Sequence, residues 1–163
     1  MRQSGMISAI TKSGLKWLWV AILLIAVDRY TKIWVTHHLV FQEPVKFLPF
    51  LDFTLAYNTG AAFSFLDRAS GWQNWLFGLL AAGVSLFIFF WLAKIKAKDR
   101  WLAIALCLIL GGAIGNVWDR MLYHYVIDFL AFHLENWRFA VFNVADAGIS
   151  VGAFMLLIHW IRE

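Results

Sequence analysis

Two short patterns near the C-terminal end of the chain could do chemistry, and they overlap. The stretch FNVADAGISVG, residues 142–152, carries Asn143 and Asp146 about one helical turn apart in an otherwise apolar run. The same stretch contains Gly-x-Ser-x-Gly around Ser150, a pattern that elsewhere marks a serine nucleophile. The first pattern predicts a carboxylate that acts as an acid or a base, and the second predicts a serine that attacks a carbonyl carbon.

The surroundings of Ser150 do not favour serine chemistry. A nucleophile elbow needs a sharp turn between a strand and a helix, whereas the helical apolar pattern here continues through AFMLLIHW. A catalytic serine also needs a histidine within hydrogen-bond reach, and His159 lies roughly 13 Å further along the same helix. The glycines therefore predict close packing between helices, as do Gly111 and Gly115 in an earlier apolar segment.

A second acidic residue allows a different kind of site. Asp128 lies between Ile127 and Phe129, and apolar neighbours on both sides raise the cost of ionising its side chain. A short return of the chain could place it opposite Asp146. Two carboxylates in a water-poor site share one proton and supply a general acid and a general base, as peptide hydrolysis by an activated water requires. Zinc chemistry is not predicted, because H-E-x-x-H is absent and the histidines lack ligand spacing.

The elements that must position these residues are predicted to be membrane helices. Of the 163 residues, 62% are hydrophobic, 18% are aromatic and only 15% are charged, which indicates a membrane protein. Apolar segments of roughly 20 residues, long enough to cross a bilayer, occupy residues 15–35, 72–92, 101–118 and 139–161. We therefore expect one integral membrane domain over residues 1–163, with long connections at residues 37–71 and 119–138. Cys107, the one cysteine, lies among leucines and is predicted to be a packing residue.

Basic residues are concentrated at helix ends that fall on one side of the membrane. The formal net charge is +4, and the clusters precede the first helix, lie between the second and third, and follow the fourth. The positive-inside rule then places both termini in the cytoplasm and both long connections on the far side. No nucleic-acid-binding motif accompanies these residues, so we expect no nucleic-acid partner.

Polar residues occupy three of the predicted helices at depths where a charge costs from about 2.5 kcal/mol upward. They are Asp28 and Lys32 in the first helix, Asn116, Asp119 and Arg120 in the third, and Asn143, Asp146 and Ser150 in the fourth. A fourth helix that starts near Phe139 would place Asp146 roughly 10 Å along its axis. All three clusters lie toward the outer face, which favours one shared site. A small proton- or ion-coupled transporter would use buried Asp, Lys and Arg residues as well and is the alternative interpretation.

The first outer connection contains a strand pattern. LDFTLAYN, Leu51–Asn58, alternates apolar and polar residues, which predicts a strand with one apolar face in a small sheet on the membrane surface. Gly60 follows and allows a tight turn. The pattern around Asp128 leaves a strand and a helix extension both open.

Five motifs resemble those of lipoprotein signal peptidase, the bacterial signal peptidase II, an aspartic endopeptidase of the inner membrane. They are DRYTK (residues 28–32), NTGAAFSFL (58–66), GGAIGNVWDR (111–120), VIDF (126–129) and FNVADAGI (142–149). The resemblance runs from the first helix to the last. One departure is Arg29, where the family often has Gln.

The resemblance implies an all-α membrane protein with four transmembrane helices and a small extracytoplasmic β-sheet, the cradle, on the outer membrane surface. It implies that Asp128 and Asp146 are the catalytic pair. The implied substrate-binding residues are Asn58, Asn116, Arg120 and Asn143, the supporting polar positions are Asp28, Lys32 and Asp119, and Phe63 with its neighbours lies in the cradle that closes over the substrate.

The implied substrates are prolipoproteins that carry diacylglyceryl on the cysteine of the lipobox, and the implied cleavage falls just before that cysteine. Family members are inhibited by the cyclic peptide globomycin. No metal or organic cofactor is implied. The expected setting is the bacterial inner membrane, where a multi-pass monomer would hold its active site toward the periplasmic face.

Overall fold

The protein is a bundle of four helices that carries a small sheet at one end. The structure, a computed structural model, describes residues 12–60, 72–134 and 137–162. A 3-10 turn, Gly14–Trp17, precedes α1 (Leu18–His38), and the later helices are α2 (Trp72–Lys94), α3 (Arg100–Tyr123) and α4 (Val144–Arg162). Within the described ranges, α3, α4 and the Asn74–Lys94 part of α2 are long and apolar enough to cross a membrane. The remaining helix, α1, has 21 residues and turns Asp28 and Lys32 into the bundle. The architecture is that of a four-helix membrane protein.

The central helix of the bundle is α3, which packs against each of the other three. Its first turns are rich in small and apolar residues, and Ala103, Ala105, Leu106 and Cys107 have no exposed surface. Cys107 is thus a core residue, as predicted. The small residues let neighbouring backbones approach closely: a Cβ built on Gly112 would lie 2.3 Å from the carbonyl oxygen of Ala145 in α4.

The sheet consists of two antiparallel hairpins that pair with each other. Its strands are β1 (Val45–Leu48), β2 (Leu51–Asn58), β3 (Val126–Leu134) and β4 (Trp137–Phe142), in the spatial order β1-β2-β3-β4. The strand predicted at Leu51–Asn58 is therefore confirmed. Leu55, Ile127 and Phe129 pack with Val35 at the end of α1, so one face of the sheet is apolar and covered by that helix. Side chains alternate along a strand, and Asp128 faces the opposite way.

Two predicted boundaries differ from the structure in ways that affect the site. Residues 139–142, predicted to begin the fourth helix, belong to β4, where Phe142 pairs with Leu130 of β3. An apolar run fits a buried strand as well as a helix, and here strand pairing determines the outcome. Asp146 therefore lies in the first turn of α4, not about 10 Å along the helix. Likewise α3 continues to Tyr123, so residues 119–123 are helical and do not belong to the connection.

The opposite end of the bundle gathers the start of the described chain and the connection between α2 and α3. The amide of Gly14 donates to the carbonyl of Ile95 at 2.9 Å, and the amide of Ala97 donates to the carbonyl of Lys12 at 2.9 Å. The basic residues of the two segments consequently lie at one end, and the sheet lies at the other.

Candidate active site

Asp128 is positioned by strand β3 and is almost completely buried, with 2% of its surface exposed. Its two carboxylate oxygens accept hydrogen bonds from Asn143 Nδ2 at 2.7 Å and from Asn58 Nδ2 at 3.0 Å. The orientation of the Asn58 amide is fixed by the turn that follows β2, because its Oδ1 accepts from the amide of Gly60 at 2.8 Å. Gly60 adopts φ of 91°, as the predicted tight turn requires.

Asp146 is positioned by the start of α4. Its amide donates to Asn143 Oδ1 at 2.8 Å, and its own Oδ2 accepts from the amide of Asn143 at 3.2 Å. This reciprocal pair is a capping box with Asn143 at the N-cap position. The other carboxylate oxygen accepts from Asn116 Nδ2 of α3 at 2.7 Å. The local sequence thus fixes the carboxylate at the helix end, where it is only partly buried.

Asn143 joins the two carboxylates. It has no exposed surface, and it donates to Asp146 through its backbone and to Asp128 through its side chain. Asn116 contacts the same group, because its Oδ1 accepts from Asn143 Nδ2 at 3.2 Å. The structure therefore brings together two carboxylates from a strand and a helix, with amide donors on both.

The surroundings of Asp128 disfavour its ionised form. Burial raises the pKa of Asp128 from 3.8 to about 7, and the neighbouring charge of Asp146 adds to the rise. The hydrogen bonds from Asn58 and Asn143 and the charge of Lys32 act in the opposite direction and are outweighed. Asp128 therefore keeps its proton until the pH approaches neutrality, which makes the pair able to offer an acid and a base at once.

A buried group of charged side chains lies beside the pair. Lys32 Nζ is 2.8 Å from Asp28 Oδ2 and 2.8 Å from Asp119 Oδ2, and all three side chains have no exposed surface. Arg29 forms a second ion pair with Asp119. Lys32 Nζ also donates to Asn116 Oδ1 at 3.3 Å, which connects the charged group to the carboxylate pair. The three polar clusters predicted to converge meet at one place, with the exception of Ser150, which is exposed on α4.

Arg120 differs from the other predicted site residues, because its contacts to the pair are electrostatic only. Its Nη1 donates to the carbonyl of Asn116 at 3.3 Å, and its guanidinium carbon lies 5.9 Å from the ring centroid of Phe77. Its Nε is buried and has no hydrogen-bond partner among the described residues. Phe77 in turn packs closely on Gly60, where an added Cβ would lie 2.9 Å from the ring.

Sequence reasoning missed two residues at the edge of the site. Asn74, near the start of α2, is 7% exposed and donates to the carbonyl of Arg120 at 3.5 Å. An amide in an apolar membrane segment is the signal that could have identified it. Arg29 stands out in the sequence only as a departure from a motif, and its partner Asp119, 90 residues away, could not be read from local spacing. Phe63 lies outside the described residues.

The serine pattern forms no part of this site. Ser150 is exposed on α4, which continues unbroken from Val144 to Arg162. The flanking glycines pack against neighbouring helices, because a Cβ on Gly148 would lie 2.4 Å from Leu24 Cδ2 and one on Gly152 would lie 2.6 Å from the carbonyl of Ala105. Their role is the close helix packing that was predicted.

Comparisons with known proteins show the family of this chain. Residues 20–162 match the family described as "Signal peptidase (SPase) II". A lipoprotein signal peptidase of Coxiella burnetii is 46% identical over 154 residues, which cover 94% of each chain. One of Pseudomonas syringae pv. tomato is 49% identical over 151 residues, covering 91% of this chain and 87% of that protein.

Solved structures agree in fold. A bacterial membrane enzyme determined by the in meso method at 1.9 Å superposes with a TM-score of 0.83 over 94% of this chain and 97% of that chain, at 22% identity. A second one at 2.3 Å gives a TM-score of 0.80 at 23% identity, covering 93% of this chain and 92% of that chain. Given the match over nearly the whole length and the close relatives, the chain belongs to the signal peptidase II family.

Proposed function

We propose that this protein is an intramembrane aspartic endopeptidase that removes signal peptides from diacylglyceryl-modified prolipoproteins by cleaving just before the lipidated cysteine. The relatives named lipoprotein signal peptidase support the substrate class. The observation that carries the proposal is the position of Asn143, which donates to Asp128 and Asp146 and so holds two carboxylates around one place. The transporter alternative is not favoured, because the relatives are peptidases.

In the proposed reaction a water lies between Asp128 and Asp146. Because the pKa of Asp128 is raised to about 7, Asp128 is the partner that holds the proton and Asp146 is the base. Asp146 takes a proton from the water as it attacks the peptide carbonyl, while Asp128 donates its proton toward the developing oxyanion. Collapse of the tetrahedral intermediate returns a proton to the leaving amine, and no covalent enzyme intermediate forms.

The asparagines and Arg120 are the proposed substrate-binding groups. A signal helix must unwind to expose a peptide bond, and its freed backbone amides need partners in an apolar setting. Hydrogen bonds to the two carboxylates fix the side chains of Asn58, Asn116 and Asn143. In the proposed complex these amides therefore meet the substrate in defined positions. Arg120 offers a guanidinium whose Nε has no partner among the described residues.

An apolar groove between α1 and α2 supports lateral entry of the substrate from lipid. It has a volume of about 490 Å³, and residues of α3, Leu110, Ile114 and Val117, form its floor. Val117 also lines a smaller cavity of about 170 Å³ that includes Asn74 and Arg120. An apolar signal helix in the groove would therefore approach the site from the membrane.

The proposed location is the bacterial inner membrane, with the active site toward the periplasm and both termini in the cytoplasm. The basic residues around Lys12 and Lys96 lie at the end of the bundle opposite to the carboxylate pair. The positive-inside rule assigns that end to the cytoplasm. The protein is proposed to act as a monomer without a cofactor.

The test is cleavage of a purified lipidated prolipoprotein in detergent. Asp128→Asn and Asp146→Asn are expected to lose activity by at least about 10³-fold, because each removes one half of the acid–base pair. Ser150→Ala, the control, removes a polar group from the exposed side of α4 and is expected to retain wild-type activity. Full activity of either Asn variant would exclude the dyad, and equal cleavage of unlipidated substrate would contradict the substrate assignment. Ion flux through reconstituted vesicles that Asp146→Asn abolishes would instead support a transporter.

A further inference from the structure

The backbone just before each carboxylate of the pair is held in the same way. Asp146 follows Ala145, whose amide donates to Asp28 Oδ1 at 2.9 Å. Asp128 follows Ile127, whose amide donates to Asp119 Oδ2 at 3.2 Å. Each reacting carboxylate is thus preceded by a peptide group that a second, fully buried carboxylate binds.

One ammonium group joins these two anchors. Lys32 Nζ lies 2.8 Å from Asp28 Oδ2 and 2.8 Å from Asp119 Oδ2. Its third contact is Asn116 Oδ1 at 3.3 Å, and the amide nitrogen of Asn116 donates to Asp146. The ammonium therefore forms two ion pairs and one hydrogen bond inside the bundle. Through Asn116, Lys32 is thus connected to Asp146. Through Asp28 and Asp119 it is connected to the backbone of the residues that precede Asp146 and Asp128.

The need for such a link follows from where the two carboxylates lie in the fold. Asp128 belongs to β3 and Asp146 belongs to α4, so local backbone geometry cannot fix the distance between them. Buried ion pairs add little net stability compared with apolar packing, which makes a purely stabilising role a weak explanation for three charges without exposed surface. A misplacement of about 1 Å in an active site can cost about 10²-fold in rate, so fixing the distance has a large effect.

We infer that Lys32 is a positioning residue that sets the separation of Asp128 and Asp146 by binding Asp28 and Asp119 together. Lys32 does not touch the substrate, and it acts through the two anchors and Asn116. This role rests on the proposed function, since it assumes that the two aspartates react together.

Arg29 provides the contrast needed for a test. It pairs with Asp119 and donates to the hydroxyl of Tyr123 at 3.3 Å, and its side chain forms no ion pair or hydrogen bond with Asp28 or Asn116. Without Arg29, Asp119 still has Lys32 and the amide of Ile127. Arg29→Gln therefore removes a partly buried ion pair and leaves the link between the anchors in place.

The experiment compares Arg29→Gln with the double variant Asp28→Asn/Lys32→Gln. The double variant removes one anion and one cation, so no unpaired charge stays buried, and Asn at 28 can still accept from Ala145. We expect kcat to fall about 10²-fold in the double variant with KM within about twofold of wild type, because the binding groups stay and the geometry of the pair changes. The kcat of each protein is taken at its own pH optimum, since the charge of Lys32 also lowers the pKa of Asp128. Arg29→Gln should keep kcat within about threefold, because the Arg29 side chain is partly exposed and water can compensate for the loss of its charge. Detergent unfolding of each protein reports whether it is folded.

The outcomes separate this inference from the proposed function. If the wild-type protein does not cleave lipidated prolipoprotein, the proposed function fails and the inference fails with it. If wild type cleaves and the folded double variant has wild-type kcat, only the positioning role is overturned. Failure of the double variant to fold would also overturn the positioning role, since Lys32 would then support the fold. A loss of kcat in Arg29→Gln as large as that in the double variant would overturn it as well, since the effect would then not depend on the link between the anchors.

Discussion

Replacing Asp128 by Asn is expected to abolish activity and to make the folded protein more stable at alkaline pH. The physical reason is burial, which raises the pKa of Asp128 from 3.8 to about 7. Above about pH 4 the unfolded chain releases the carboxyl proton of Asp128, whereas the folded protein keeps that proton until the pH nears 7. Folding therefore becomes less favourable as pH rises between these values, and the loss is complete above about pH 8.

The size of the effect follows from the two pKa values. One pKa unit corresponds to about 1.4 kcal/mol, so a rise from 3.8 to about 7 destabilises the wild-type fold by about 4 kcal/mol at pH 8. At about pH 4 the destabilisation from this group is less than about 1 kcal/mol. The variant cannot ionise at position 128, so it should escape this loss.

The new amide also carries a cost that does not depend on pH. Both oxygens of Asp128 accept from side-chain amides, of Asn58 and Asn143, so an Asn at 128 turns one NH₂ group toward another donor. That mismatch costs about 1–3 kcal/mol at every pH. The change in stability between two pH values is consequently a better measure than stability at either one.

The assay is equilibrium unfolding with SDS in mixed micelles at about pH 4 and about pH 8. Between these values wild type should lose about 3–4 kcal/mol more than Asp128→Asn. Asp128→Ala serves as the control: it should be less stable overall because of the space it leaves, yet it should follow the same pH dependence as Asp128→Asn. Parallel pH dependence in wild type and both variants would refute the reasoning that burial of Asp128 disfavours its charge.

Two further predictions concern packing and the link between the carboxylates. Gly112→Ala should destabilise the protein by about 1–3 kcal/mol, because the new Cβ would lie 2.3 Å from a backbone oxygen of α4. Gly83→Ala, whose new Cβ would have no atom within 4 Å, should be neutral or stabilising in the same SDS unfolding assay. Equal effects of the two substitutions would contradict the packing argument. Asn143→Ala should lower kcat by at least about 10²-fold, which is a larger loss than that expected for Asn58→Ala. The reason is that Asn143 donates hydrogen bonds to both carboxylates, whereas Asn58 donates to one. Both variants are assayed on lipidated substrate in detergent.

Residue type and spacing were sufficient to predict the helices, strand β2 and the convergence of the polar clusters. A charge or an amide inside an apolar segment is costly, so each one indicates a partner somewhere in the fold. The i, i+4 spacing of Asp28 and Lys32 is also typical of a helix ion pair, and the structure contains that pair. These inferences depend on local sequence and on the membrane as solvent, and both are visible in a single chain.

Long-range choices could not be predicted in the same way. Residues 139–142 suit a strand or a helix equally well, and pairing with β3 settles them as β4. The capping box of Asn143 and Asp146 was hidden for the same reason, because the predicted helix began too early. Lys32 had several possible acceptors, and only the packing of α1 against α3 brings Asp119 to it as well as Asp28. Sequence spacing identifies candidates, but the choice among distant partners depends on tertiary packing.

The balance of charge at the site gives an independent reason for the pair to share a proton. Within the described part of the chain, Arg29, Lys32 and Arg120 are the cations that face the pair or its anchors. The facing carboxyl groups are Asp28, Asp119, Asp128 and Asp146. Three cations against four carboxylates leave one negative charge if all ionise, and a net charge in a poorly hydrated place is costly. One proton on the pair makes the group neutral, and the raised pKa of Asp128 keeps that proton on Asp128 below neutral pH. The surrounding charges thus balance one ionised aspartate and not two, which is the protonation that the proposed acid–base mechanism requires.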